Sequence, residues 1–311
     1  MNVIPRRTFL GFAIAAGVTG CADTGPDPTP VVVEQQAAPP SRPTAKPGKP
    51  DKAKPPFTGL VPVLMHHRLV RADAGSYDMT PQFFRAELDR LRRESYYPIR
   101  TIDLARGNFT AVPAGKRPVV LTFDDSSPGQ FAVDAGGTVH PASALGMMLD
   151  FHADHPDFPA IASFYITKNP FGYHGPEAVR ALRKLAELGC EIGNHTLSHP
   201  NLHTLTDAEV QAEIGGLSGL VTAAGLPAPR TLALPLGVHP RNRSLLAHGG
   251  SGRTAYRNEA VLLVGANPSR SPQGKGFDPM AIPRIRCSSH DGGRADLELN
   301  YWLDRLKGGL H

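Results

Sequence analysis

The stretch Val119–Gly129, VVLTFDDSSPG, decides how this chain is read. Its first five residues form an unbroken β-favouring run, as expected of a strand buried on both faces in a parallel sheet. The run passes straight into two adjacent carboxylates, Asp124 and Asp125. Successive side chains of a strand point to opposite faces, so neighbouring acids at its exit need not share one environment or one job. In a parallel α/β barrel the chemistry gathers at such strand ends, where the following loops converge.

Working outward, strand and helix signals alternate from residue 59 onward. LVPVLMH (60–66), RPVVLTF (117–123), AIASFYI (160–166), EIGNH (191–195), TLALPLG (231–237), AVLLVG (260–265) and AIPRIR (281–286) read as strands. Thr80 caps a helix that has Pro81 at its first position and Phe84, Leu88 and Leu91 as its apolar stripe. Further helices are predicted over about 141–152 and over 176–188, the second closed by Gly189. Another opens on the capping-box pair Thr206/Glu209, and ADLELNYWLDRL (295–306) closes the chain. This alternation predicts an α/β parallel barrel or a doubly wound sheet. No internal repeat stands out.

The chain has 311 residues, 41% of them hydrophobic, and a net charge of +5. The basic residues are spread out, as at Arg90, Arg92, Arg93, Arg241 and Arg243, and no basic run alternates with aromatics, which argues against nucleic acid. At the start, PRRTFLG holds Arg6 and Arg7, and the apolar run from Phe9 to Val18 is too short to span a bilayer. PRRTFLG resembles a twin-arginine export signal, and VTGC resembles a bacterial lipobox that would place a lipid on Cys21. Residues 1–21 are thus expected to be an export signal, 22–58 a Pro-rich tether and 59–311 the catalytic domain. The protein would be exported and lipid-anchored to the outer face of the cell membrane or envelope, with no protein partner implied. Cys190 and Cys287 either pair or remain buried free thiols.

GNHTLSHPNLH (193–203) sets His195 and His199 four apart, so one helical turn would bring both imidazoles to one side. One carboxylate would complete a three-ligand site with positions left open, the arrangement of a catalytic metal. LTFDD (121–125) followed by GNHTLSHP (193–200) is similar to the first two signature motifs of the NodB-type polysaccharide deacetylases, carbohydrate esterase family 4. PVLMHHRL (62–69) resembles the opening of many envelope members. The resemblance implies a distorted (β/α) barrel with about seven parallel strands and a divalent metal, usually zinc. It makes Asp125, His195 and His199 the ligands and Asp124 the general base of a hydrolase that removes acetyl groups from an envelope or extracellular polysaccharide, an N-acetylglucosamine polymer above all. Backbone N–H groups around Ser126 and Ser127 would help hold the oxyanion.

The chain also departs from the family. ALPLG (233–237) puts Ala233 where an arginine that pairs with the base is expected, and Leu236 where tyrosine is. Arg230, Arg284 and Arg286 are the replacements considered, with Arg284 preferred; Pro235 and Leu236 remain as substrate contacts. CSSHDGG (287–293) offers His290, followed by Asp291, as general acid, although a solvated loop histidine would read the same. His66 and His67 end the first strand, and His67 is expected to contact substrate. The insertion 126–159 would shape the cleft, and Phe171, Tyr173 and Trp302 would either stack on sugar rings or pack in the core. The missing arginine keeps open a second reading, an impaired metal-containing lipoprotein that binds glycan without turnover.

Overall fold

The structure, a computed structural model, describes residues 57–72, 75–265, 267–289 and 298–307. The expected export signal, nearly all of the tether, Cys21, His290 and Asp291 lie outside the described residues.

One sheet organises the domain. Its strands are β1 (Val63–His66), β2 (Tyr96–Ile99), β3 (Arg117–Phe123), β4 (Ser163–Ile166), β5 (Glu191–Asn194), β6 (Thr231–Ala233), β7 (Ala260–Leu262) and β8 (Ile285–Arg286). The order is β7-β6-β5-β4-β3-β1-β8, and every pairing is parallel. β2 stands off this path beside the first half of β3, from Tyr96 opposite Arg117 to Ile99 opposite Val120. Helices α1 (Pro81–Arg93), α2 (Thr101–Ala105), α3 (Ala144–Asp154), α4 (Gly175–Glu187), α5 (Asp207–Ala223) and α6 (Leu299–Lys307) complete the α/β alternation.

The pleat of β3 separates two cores. Leu121 and Phe123 join Leu64, Phe84, Leu88, Phe164 and Leu182 between sheet and helices. Val120 turns the other way, with Val63, Tyr165, Ala233, Leu262 and Ile282, into the sheet's concave interior. Asp124 follows in the same alternation and continues the interior face.

The stretch 282–287 joins the two edges of the sheet. The N–H of Ile282 donates to the Val261 carbonyl at 2.9 Å and its own carbonyl accepts from Leu263 N, which attaches it to β7. Three residues later β8 pairs with Leu64 and Met65 of β1, and Cys287 N donates to Met65 O at 3.0 Å. Pro283, which has no N–H to give, stands at the crossing, and Arg284 is held between the two edges. The curl of the sheet follows from this one segment.

Local sequence accounts for most elements. The Thr80 hydroxyl accepts from Phe83 N at the start of α1, Ser143 does the same for α3, and the Thr206/Glu209 capping box opens α5. Three readings need correction. The first expected strand is broken at Pro62: Leu60–Val61 pairs antiparallel with Ser269–Arg270, and only the second half enters the main sheet. β2 went unanticipated because Pro98 argues against a strand; an off-path strand tolerates it. The helix expected over about 141–152 runs from Ala144 to Asp154. Cys190 and Cys287 are free and buried, and no helix among the described residues is long and apolar enough to cross a membrane.

Gly193 of β5 passes directly over the buried Tyr165 ring: a Cβ there would stand 2.4 Å from Tyr165 Cε1. Gly193→Ala should therefore overpack the interior and cost about 1–3 kcal/mol, read as a lower urea midpoint at unchanged slope.

Candidate active site

Asp124 and Asp125 leave β3 in opposite senses. Asp124 continues the interior face, its side chain only 2% exposed, whereas the Asp125 side chain is 41% exposed. The switch is made by backbone: Asp125 and Ser126 both adopt left-handed conformations, with φ of 70° and 49°. Of the seven non-glycine residues with positive φ among the described residues, four (Asp125, Ser126, Thr196 and His199) sit in the loops that follow β3 and β5. Strain of about 1–3 kcal/mol per residue persists where the surrounding structure fixes it, and such residues collect at functional sites.

Arg284 is fully buried and holds Asp124 with both arms. Nη1 donates to Oδ1 at 2.8 Å and Nη2 to Oδ2 at 2.7 Å, while Nε donates to Leu263 O at 2.8 Å and Nη1 also reaches Thr122 Oγ1 at 3.2 Å. Burial alone would push the Asp124 pKa up; the Arg284 guanidinium, helped by His195 and His67, outweighs burial and holds the carboxyl well below the usual carboxylate range. Arg230 and Arg286, the other replacements considered, pair instead with Glu259 and Glu298.

The three expected ligands converge. Asp125 Oδ1 lies 3.3 Å from His195 Nε2 and 3.5 Å from His199 Nε2, and the two imidazole centroids are 4.8 Å apart. The predicted helical turn is absent: 195–199 is a loop with Thr196 and His199 in left-handed conformations. Asn194 shapes that loop, accepting from Thr196 N at 2.8 Å while its amide donates to Ile214 O of α5 at 2.8 Å. His199 N in turn donates to Thr196 Oγ1 at 3.1 Å.

The donor set fits a divalent cation. His195 Nδ1 donates to Ala233 O at 2.9 Å, which directs the Nε2 lone pair at Asp125 and His199, and buried Nε2 has no hydrogen-bond partner. Two imidazoles and a carboxylate with one open side suit Zn²⁺ and its first-row neighbours. Burial opposes charge at both groups, yet the attraction between them lowers the Asp125 pKa and, with Asp124, raises that of His195.

His67 faces this cluster, with Nε2 4.0 Å from Asp124 Oδ2 and its ring edge-on to Tyr77. Burial lowers its pKa to about 4 despite the nearby acids. Ser126 is buried, and its Oγ accepts from Thr167 N at 3.2 Å. Pro235 is buried in a turn after β6, where Leu236 stands out at 59% exposure with φ of 57°. Phe171 is buried in the core against Phe131 and Phe164, half-buried Tyr173 donates its hydroxyl to Val133 O, and half-buried Trp302 packs on the same core and lines a cavity with Leu60, Arg270 and Phe277. Sequence reasoning missed Thr122 and Gln130. Thr122 is the lone hydroxyl in an apolar strand, a signal that was readable. Buried Gln130, whose amide donates to the carbonyls of both His67 and Asp124, carries no signal in its loop.

Residues 111–248 match the family model described as polysaccharide deacetylase. No curated protein matches the chain. Solved structures share its fold. The Streptococcus pyogenes deacetylase PplD in complex with acetate is 18% identical, with a TM-score of 0.54 over 75% of this chain and 94% of that one. A polysaccharide deacetylase from Bacillus cereus is 16% identical, with 0.56 over 78% and 70%. IcaB from Ammonifex degensii is 16% identical, with 0.52 over 76% and 96%.

The Asp124–Arg284 pair generates a pH-dependent prediction. Because the native carboxyl is held below its unfolded value, the unfolded chain binds the extra proton, so the pair's contribution is complete above about pH 5 and drains away as pH falls. Arg284→Met strands the carboxylate and should cost about 3–5 kcal/mol at neutral pH. The penalty should shrink on acidification, once the stranded acid takes a proton; urea unfolding at a series of pH values measures it.

Proposed function

We propose that this chain, a member of the polysaccharide deacetylase family, is a metal-dependent hydrolase that removes acetyl groups from an envelope or extracellular polysaccharide, an N-acetylglucosamine polymer before others. The observation that carries the reading is an ionised, buried Asp124 placed beside, and not within, a three-donor ligand set. Pure ion binding would need no second acid.

The ion held by Asp125, His195 and His199 would supply Lewis-acid polarisation of the acetyl carbonyl and an acidified water. The residues do the rest. Arg284 keeps Asp124 ionised and fixes its plane, taking one lone pair from each oxygen and leaving the others to receive the proton of an attacking water. Asp124 Oδ2 lies 4.0 Å from His67 Nε2. His67, whose imidazole burial keeps neutral, is the residue placed to pass that proton on to the leaving amine. His290, the acid expected from the family pattern, lies outside the described residues and is the competing donor.

We further propose that the chain is exported by its twin-arginine signal, acylated at Cys21 and held by the 22–58 tether so that the domain reaches glycan at a distance from the membrane. Pro235 and exposed Leu236, after β6, supply an apolar contact for the sugar where the family has tyrosine. The glycan-binding alternative arose from the missing arginine, and the Arg284 contact supports turnover against it.

Acetate release from acetylated chito-oligosaccharides, peptidoglycan and acetylxylan tests the reading. Asp124→Asn should lower kcat about 10²- to 10⁴-fold with little change in KM, and chelation should abolish release. His67→Gln should slow amide substrates more than acetyl esters of good leaving groups, which need no proton. Absence of release from every acetylated glycan would favour the binder.

A further inference from the structure

His66 and His67 are neighbours that point to opposite faces of the sheet. His67 looks into the catalytic mouth; His66 stacks on Phe123 at 4.7 Å and faces α1. There it meets Glu87 of α1 and Cys287, which follows β8. The three residues are 0%, 3% and 0% exposed. One donor atom from each, an imidazole nitrogen, a carboxylate oxygen and a thiol sulfur, lies within 4.8 Å of the other two. We propose that His66, Glu87 and Cys287 form a second metal site, closed and structural, for a thiophilic divalent cation such as Zn²⁺.

The hydrogen-bond inventory points to a cation. His66 Nδ1 donates to Thr122 O at 3.0 Å, which leaves Nε2 as the acceptor nitrogen. Yet Nε2 stands 2.8 Å from Glu87 Oε1, itself an acceptor when ionised, so a proton or a metal must lie between them. Glu87 Oε2 is buried without a hydrogen-bond partner. Cys287 Sγ is next to it, with a long 3.9 Å hydrogen bond to Ile285 O. A divalent ion resolves both conflicts. It replaces the shared proton, satisfies the orphaned oxygen and converts thiol to thiolate, two ligand charges against two on the metal. Nitrogen, sulfur and both carboxylate oxygens make four donors.

The arrangement repeats the logic of the catalytic site, where the Nδ1 of His195 also donates to a backbone carbonyl and Nε2 faces the ligand carboxylate. The differences define the role. Asp125 and His199 are partly exposed, as substrate access requires, whereas no donor of the second site reaches solvent. A nitrogen–sulfur–oxygen set selects Zn²⁺ or Co²⁺ over Mg²⁺ and Ca²⁺, which take oxygen. Its ligands come from β1, α1 and the residue after β8, so the ion would pin the segment that curls the sheet to the helix that covers it.

The full chain refolded with cobalt(II) tests this directly, because the catalytic donor set has no sulfur. Wild type should bind about two equivalents and show the near-ultraviolet thiolate-to-cobalt charge-transfer band. Cys287→Ser should lose the band and about one equivalent, Cys190→Ser should keep both, and His199→Ala should lose metal but keep the band. Binding of about one equivalent by wild type without the band overturns the proposal, and so does a band that survives in Cys287→Ser. If Cys287→Ser fails to fold, the Cys21→Ser/Cys190→Ser double variant decides, because Cys287 is then the one thiol left: the band must persist there, and its loss overturns the proposal.

Discussion

The bidentate contact between Arg284 and Asp124 is the constraint on which both the fold and the candidate chemistry rest. Neither group tolerates the interior alone: an ionised carboxylate or guanidinium without a partner costs several kcal/mol to bury. Together they also fix geometry, since the planar fork admits one orientation of the carboxylate. Arg284 belongs to the stretch that crosses from β7 to β1, and Asp124 ends β3, so the pair locks the joining segment to the middle of the sheet. The guanidinium uses four of its five N–H groups, with Leu263 O and Thr122 Oγ1 as further acceptors, which leaves little freedom for any other closure.

Given that pair, the division between adjacent acids follows from backbone geometry. Alternation along β3 turns Asp124 inward, and a left-handed step at Asp125 swings its carboxylate outward to the two imidazoles. Two residues that differ by one position thereby receive opposite environments, one dry and cation-paired, the other half-exposed and able to coordinate. The same alternation separates His66 from His67 at the end of β1. Period-two geometry thus builds two functional contrasts from adjacent residues.

The sequence made legible whatever was written in local periodicity or in a family motif. The apolar run of β3, the caps of α1 and α5 and the convergence of Asp125, His195 and His199 beside Asp124 could all be read directly. What escaped was non-local or contrary to propensity. β2 contains Pro98 and pairs along only half of a neighbour. The 195–199 spacing suggested a helical turn, whereas the structure reaches the same convergence through left-handed Thr196 and His199, a conformation that a β-branched threonine rarely adopts. Gln130 clamps two carbonyls from a loop whose composition says nothing about where it ends up.

Arg284 shows why a motif can be lost while its physical role is kept. The pattern that the sequence resembles places the arginine expected to pair with Asp124 at the last position of β6, where this chain has Ala233. That alanine still serves, since its backbone carbonyl orients His195. The cation comes instead from the segment beside β7, one strand further round the sheet. In a curled sheet, strands adjacent in space aim inward side chains at a common axis, so a guanidinium supplied from either position reaches the same carboxylate. Ionising Asp124 requires a cation at a point in space and not at a place in the chain, and a long, forked side chain on a neighbouring strand meets that requirement.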